Sequence, residues 1–333
     1  FDRDPSDRSG DRLLAYMGLL DDAAPLFRDG AAVPGAGVLL ALPALVHSGV
    51  FAAARQVYGS IGPAFFGLRT TIVTLMFMAL LRIQRPETLK ERSPSSLGRL
   101  LGLDRAPEVK TVRRKLIRLA GRGAAVEFGR RLAERRVAVR GHALGFLYVD
   151  GHVRVYYGKR RIPKTHVARL HFVLPATTDY WVNDQAGDPL FVVTAEANAG
   201  LVQTLPALLG DMRTLIGERR VTVVFDRGGW SPKLFAQLIA DRFDILTYRK
   251  GKSRRVPHRC FSEHTSSFDG RKVHYQLADQ NVALFYGSRP HRKRLRLRQV
   301  TRLRDDHQTQ VLTSRRDLPA IEVAYRMFER WTQ

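Results

Sequence analysis

Sulfur chemistry is nearly absent from this chain, with Cys260 as the one cysteine in 333 residues. An internal disulfide framework and a cysteine-based zinc cluster are thereby excluded, and a reducing cytoplasm is the expected compartment. No G-x-x-x-x-G-K-[ST] loop occurs, so an NTPase of that type is excluded. No HExxH pair occurs either, and His142, His152, His166 and His171 are scattered without metal-ligand spacing. No secretory signal precedes the charged, Asp-rich opening at Phe1, which reads as the start of a fragment or of a processed chain. Acids are scarce: 31 Asp plus Glu stand against 55 Lys plus Arg, a net charge of +24.

That surplus, with an isoelectric point near 11.0, favours a polyanionic partner through counterion release. Anionic membrane would call for a basic amphipathic helix or a juxtamembrane cluster, and neither stands out, so nucleic acid is the expected partner. Residues 31–54 carry no charge, but Pro34, Pro43, His47, Ser48 and several glycines interrupt them. They read as a buried helical pair broken near Pro43 rather than as a membrane span.

At this length two or three domains are expected. Residues 1–140 read as helical, with Leu13, Leu14, Met17, Leu19 and Leu20 lining one early helix face and 68–83 forming a core helix. Within 86–122, Leu97, Leu100 and Leu101 make a short helix, Gly102 turns the chain, and a second helix opens at Pro107 and Glu108. It carries Lys110, Arg113, Arg114, Lys115 and Arg118. Short helix, glycine turn and basic helix fit a helix-turn-helix that contacts DNA; a solvated basic helix packed by one leucine face would give the same pattern.

Residues 144–250 change to strand signals: Phe146–Asp150, His152–Tyr157, Leu170–Leu174 and Leu190–Thr194. A helix over 199–216, the strand Val221–Phe225, a helix Pro232–Phe243 and a strand Ile245–Tyr248 follow. Antiparallel strands followed by alternating helices and strands predict an α/β fold with a ribonuclease-H-like mixed sheet. Residues 251–315 are basic and alternate like strands over Val273–Leu277, Val282–Tyr286, Leu295–Leu303 and Gln308–Leu312. They predict an inserted antiparallel β region that packs leucines and a valine on one face. The other face offers Arg254, Arg255, Arg292, Lys293, Arg294, Arg296 and Arg298 to phosphates. Residues 318–333 read as a helix that continues to the end.

Two apolar strands end on acids: FLYVD at Asp150 and VTVVFD at Asp226. Rigidly held carboxylates of this kind can share Mg²⁺ or Mn²⁺, hard ions that prefer oxygen ligands. Two such ions suit in-line displacement at phosphorus. Asp179, Asp184, Asp188 and Glu196 lie near turn residues and read as solvated or capping. His152, two residues past Asp150, is expected on the same strand face. Trp230, after the acid loop, could stack on a base or pack at the rim.

YVDG at 148–151 and VVFDRGGWS at 223–231 resemble the first two acid motifs of the DDE transposases of bacterial insertion sequences. The closest resemblance is to the branch whose ribonuclease-H-like core carries a β-rich insertion before the last acid. The resemblance implies metal binding and catalysis by Asp150 and Asp226, double-stranded DNA as substrate, strand transfer without ATP, and a homodimer on paired ends. It also implies a C-terminal helix with Tyr, two residues, Arg, three residues and then the catalytic Glu. Arg330 fits the Arg position and is expected near DNA. Met327 stands where the Tyr would be, and the Glu would fall one residue beyond Gln333. Either that acid lies past the end, which is the favoured expectation, or Glu329 or Glu322 serves in its place.

Overall fold

A computed structural model describes residues 6–27, 32–167, 170–196, 199–251 and 253–330. The chain divides into two compact units, 1–135 and 136–333.

The first unit is helical: α1 (Ser9–Tyr16), α2 (Leu42–His47), α3 (Val50–Tyr58), α4 (Leu68–Leu80), α5 (Pro94–Leu100), α6 (Val109–Gly121) and the start of α7 (Ala125–Arg140). Ser93 caps α5 by accepting from the Ser96 amide at 3.3 Å, with Pro94 in the first turn. Gly102 then turns at φ +68°, where a Cβ would strike Pro25 and the Leu26 amide. The short helix, glycine turn and basic helix expected at 86–122 are therefore present, with α6 opening at Val109. One core gathers Phe77, Met78, Leu97, Leu100, Leu103 and Val112. A second gathers Val50, Ala54, Tyr58 and Ile72 against Phe128 and Leu132.

The short surface helix expected in the opening segment is present as α1, and Leu13, Met17 and Leu19 are exposed. Arg8 anchors it, donating to Asp11 at 2.7 Å and to the Gly102 carbonyl at 3.0 Å from a buried position. Two expectations fail in this unit. The uncharged stretch, of which Ala31 lies outside the described residues, bends by 62° between Ala36–His47 and Val50–Tyr58. The break is not at Pro43, which sits in the first turn of α2 where its missing N–H costs nothing. It is at Gly49, φ +78°. Only α3 is buried; Leu40, at 85% exposed, and Val46 in the first half face solvent. Among the described residues no single helix is long and apolar enough to cross a membrane.

The second unit holds a ten-stranded mixed sheet. Its elements in order are β1 (Phe146–Val155), β2 (Lys164–Val167), β3 (Phe172–Asn183), β4 (Pro189–Ala195), α8 (Leu201–Ile216), β5 (Val221–Phe225), α9 (Pro232–Ala240), β6 (Phe243–Tyr248), β7 (Ser262–Phe268), β8 (Arg271–Tyr286), β9 (Lys293–Arg304), β10 (His307–Thr313) and α10 (Ala320–Phe328). Strands β4, β3 and β1 pair antiparallel, then β1, β5 and β6 run parallel. Three antiparallel strands flanked by two parallel ones is the ribonuclease-H-like order, so the fold is the α/β class read from the sequence.

Alternation divides the core strands between two faces. Phe225 meets Phe235 of α9 at 5.9 Å between ring centroids, which sets α9 on the face of Leu147, Val149 and Val223. Phe146, Tyr148, Val224 and Leu246 point the other way, into a core completed by Ile321, Val323, Ala324, Tyr325 and Met327 of α10.

The 251–315 segment extends this same sheet. Val311–Thr313 of β10 pair antiparallel with Leu246–Tyr248 of β6, and β9, β8 and β7 follow outward. The two strands expected at 273–277 and 282–286 are one, β8, and β7 was not foreseen because SEHTSS lacks apolar alternation. Likewise β1 does not stop at Asp150: it continues to Val155, paired with β3 throughout. Strand β3 swallows the supposed turn around Asp179. Helix α9 ends at Ala240 because Arg242 adopts φ +61° before β6.

Candidate active site

Val149 pairs with Phe225 in the last rung of the parallel β1–β5 ladder. The next residue on each strand is an acid, so Asp150 and Asp226 stand side by side where the two strands part. Strand spacing puts them about 5 Å apart. Asp226 keeps extended backbone and accepts the Gly228 amide at 2.8 Å, which starts a short 3₁₀ turn. The two glycines of the motif have separate reasons. A Cβ on Gly229 would lie 2.5 Å from the Phe225 ring, and one on Gly228 would lie 2.9 Å from the Asp226 carboxylate. Gly151 is also required: a Cβ there would lie 2.9 Å from the Tyr180 ring, whose hydroxyl donates to the Ala199 carbonyl at 2.6 Å.

Burial pushes the Asp150 carboxyl above the ordinary carboxylate range; Asp226 adds to this, while Arg330, the Gly151 amide and His152 oppose it. Loss of water around the carboxylate, more than the neighbouring acid, is what raises it. Two cations of the C-terminal segment bear on β1, Arg326 within α10 and Arg330 just past its end. Arg326 acts on Tyr148, whose hydroxyl is pushed up by burial to about 12, and Arg330 acts on Asp150. Arg326 lies over the Phe146 ring at 4.8 Å and Arg330 over the Tyr248 ring at 5.7 Å.

The other candidate acids are engaged elsewhere. Glu329 accepts from the Tyr275 hydroxyl on β8 at 2.8 Å, and Glu322 pairs with Arg326 at 3.7 Å. Among the described residues no group of three or more His, Cys, Asp or Glu converges on a common point. The end expected past Arg330 (residues 331–333) lies outside the described residues. Asp179 and Asp184 are neither solvated nor, for Asp179, in a turn. Asp179 sits inside β3, accepts from Thr194 at 2.7 Å and pairs with Arg154 at 3.3 Å. Asp184, 0% exposed, caps the β3–β4 turn through the Ala186 and Asp188 amides and pairs with Arg140 at 3.1 Å.

The basic residues separate by environment. On α6, Lys110, Arg113, Arg114 and Arg118 are exposed. Arg113 pairs with Glu87, and Arg118 donates to the Ile61 carbonyl. Lys115 is 3% exposed and its Nζ has no hydrogen-bond partner. Burial, then Arg118 and Arg114, lower its pKa. It cannot reach a phosphate from there: it follows the buried Val112 by three residues and so shares its face. On β9, Arg294 and Arg296 are exposed, but Val300 lies on the arginine face, not the leucine face, and is buried under α10. The neighbouring Arg298 is also held in place, donating to Asp279 of β8 at 2.7 Å and to the carbonyl of Leu318, ahead of α10, at 2.5 Å. Arg255 is bound to Asp306, Arg292 lies over Phe285, and Arg254 and Lys293 are exposed. Trp230 is at the rim, edge-on to Phe235.

The family described as "Transposase protein" matches residues 5–333. The chain belongs to that family of transposases. No curated protein matches the sequence. Among solved structures, the piggyBac transposase synaptic complex with hairpin DNA is similar at 11% identity and a TM-score of 0.37, over 77% of this chain and 55% of that one. The Mos1 transposase paired-end complex is similar at 13% identity and a TM-score of 0.23, over 52% of this chain and 57% of that one. This chain thus spans little more than half the length of either.

Proposed function

We propose that this protein is a DDE-type transposase that cleaves phosphodiesters at the ends of a mobile DNA element and joins the freed ends to target DNA. The observation that carries the reading is the pair Asp150 and Asp226 at the parting of two parallel strands, in a chain of the transposase family with a charge of +24. Their oxygens suit Mg²⁺ or Mn²⁺, and a carboxyl raised by burial beside a second acid is one that a bound divalent cation would hold ionised. Bound there, two such ions would supply charge stabilisation at the scissile phosphate. The chain's own part is positional. Neighbouring strands hold the carboxylates, Gly151 and the two glycines after Asp226 let the chain pack closely around them, and Arg330 sits beside Asp150. Water displaces the 3′ oxygen at the element end, and that 3′-OH then displaces an oxygen of target DNA. The number of phosphodiester bonds is conserved in the second step, so no nucleotide triphosphate is consumed.

Double-stranded DNA is the partner under this reading, with Lys110, Arg114 and Arg118 on α6 and Arg294 and Arg296 on β9 as backbone contacts, in a homodimer on paired element ends. A plasmid carrying the element ends tests it. Metal-dependent nicking and joining by the wild type, lost in Asp226→Asn, is the expected result; equal nicking by both refutes it. A second reading is favoured by the ties of Glu329 to Tyr275 and of Glu322 to Arg326: a two-acid protein that occupies element ends and cuts them poorly. Tight, sequence-dependent binding with nicking at background would select it.

A further inference from the structure

The sheet face that carries Asp150 continues past it as an exposed surface. Directly opposite Asp150 on β3 is Trp181, and opposite Trp181 on β4 is Val192. Register places all three on one face, in the same row as Asp226. Trp181 is 39% exposed and Val192 is 44% exposed. An indole left open on a sheet surface is not doing a core residue's job. The rows beside it carry basic side chains. His152 and Arg154 alternate with Asp150 along β1, and Lys164 of β2 pairs with Pro175 on the same face of β3. All three are exposed, and Asp179 on the same face is closed off by Thr194 and by an ion pair with Arg154.

An open aromatic ring bordered by cations is the surface that single-stranded nucleic acid uses, bases on the ring and backbone on the charges. Cross-strand neighbours lie about 5 Å apart, a span comparable to the single sugar that separates a base from its phosphate. We propose that Trp181 stacks the unpaired base of the nucleotide next to the phosphate held at Asp150 and Asp226. The site would then take its DNA locally single-stranded. This rests on the reading of the two acids as the cleavage site.

The test uses the full chain with Trp230→Phe and Trp331→Phe, so that Trp181 is the one remaining indole, titrated with oligothymidylate in EDTA. Quenching of the Trp181 fluorescence is expected. Trp181→Ala, assayed in the native background by anisotropy of a labelled oligothymidylate, should weaken binding by about 5- to 150-fold, the equivalent of one stacked base. Trp181→Phe should retain most of the affinity, which guards against a folding defect. Mn²⁺ affinity, measured separately, should change less than about twofold in both. No quenching, or unchanged affinity in Trp181→Ala, overturns the proposal, as does self-association that buries Trp181 in place of DNA. If Mn²⁺ binds normally while quenching is absent, the acid pair stands and Trp181 falls. If quenching occurs while Mn²⁺ fails to bind, the stacking surface stands and the cleavage reading falls.

Discussion

Removing one negative charge from the acid pair should stabilise the metal-free protein, although it destroys the proposed catalytic centre. Two carboxylates on strands about 5 Å apart repel by up to about 3 kcal/mol at an effective dielectric of about 20. At Asp150 the attraction of Arg330 outweighs this repulsion, and the cost of ionisation that remains comes from burial of the carboxylate; with both acids partly open to water it is about 1 kcal/mol at neutral pH. Asp150→Asn should therefore raise the melting temperature of the metal-free protein by about 2–4 °C. The pH dependence has a definite sign. The Asp150 pKa is raised on folding, so between its unfolded value of about 3.9 and its folded value the native state holds more protons. Stability falls as pH rises through that window and is flat above it. Asp150→Asn should lose this fall. Mn²⁺ at about ten times its dissociation constant should stabilise the wild type by about 1.4 kcal/mol and leave the variant unmoved. Differential scanning fluorimetry against pH, with EDTA or with Mn²⁺, reads all three. A variant less stable than wild type in EDTA, or equally stabilised by Mn²⁺, would refute the reasoning.

Other perturbations separate structural from functional charge. Lys115→Met should stabilise by about 1–3 kcal/mol, because it removes a buried ammonium without a hydrogen-bond partner, and should leave DNA affinity unchanged in an anisotropy assay. Arg114→Ala should weaken DNA binding and reduce the slope of log affinity against log salt by about 1. Arg298→Ala should destabilise by about 2 kcal/mol through its lost bonds to Asp279 and Leu318, whereas Arg296→Ala should lower DNA affinity at constant melting temperature. Gly151→Ala should destabilise by about 1–3 kcal/mol as its Cβ meets the Tyr180 ring.

The strands and helices that bury one clear pattern were legible: VTVVF as β5, the helix after Ser231-Pro232, and the short helix, glycine turn and basic helix of α5 and α6. So was the proximity of two acids that each follow a buried apolar run. What escaped depends on partners far away in sequence. Strand β1 looked finished at Asp150 because its burial changes there, where β5 leaves it, yet β3 continues to pair with it to Val155. Lys115 looked like one more cation on a basic helix, since no local rule marks which turn faces the core. Val300 and Arg298 were assigned to opposite faces by residue type, but period-two alternation puts them on one, and α10 covers it. Trp181 gave no signal in a segment read as turns; only the β1–β3 register sets it opposite Asp150.

A Mn²⁺ titration followed by electron paramagnetic resonance tests the central claim most directly, on the wild type, Asp150→Asn, Asp226→Asn and Glu329→Gln. Binding by the wild type that is lost in each aspartate variant, and kept within about twofold in Glu329→Gln, is the predicted outcome. Unchanged binding in either aspartate variant would contradict the account.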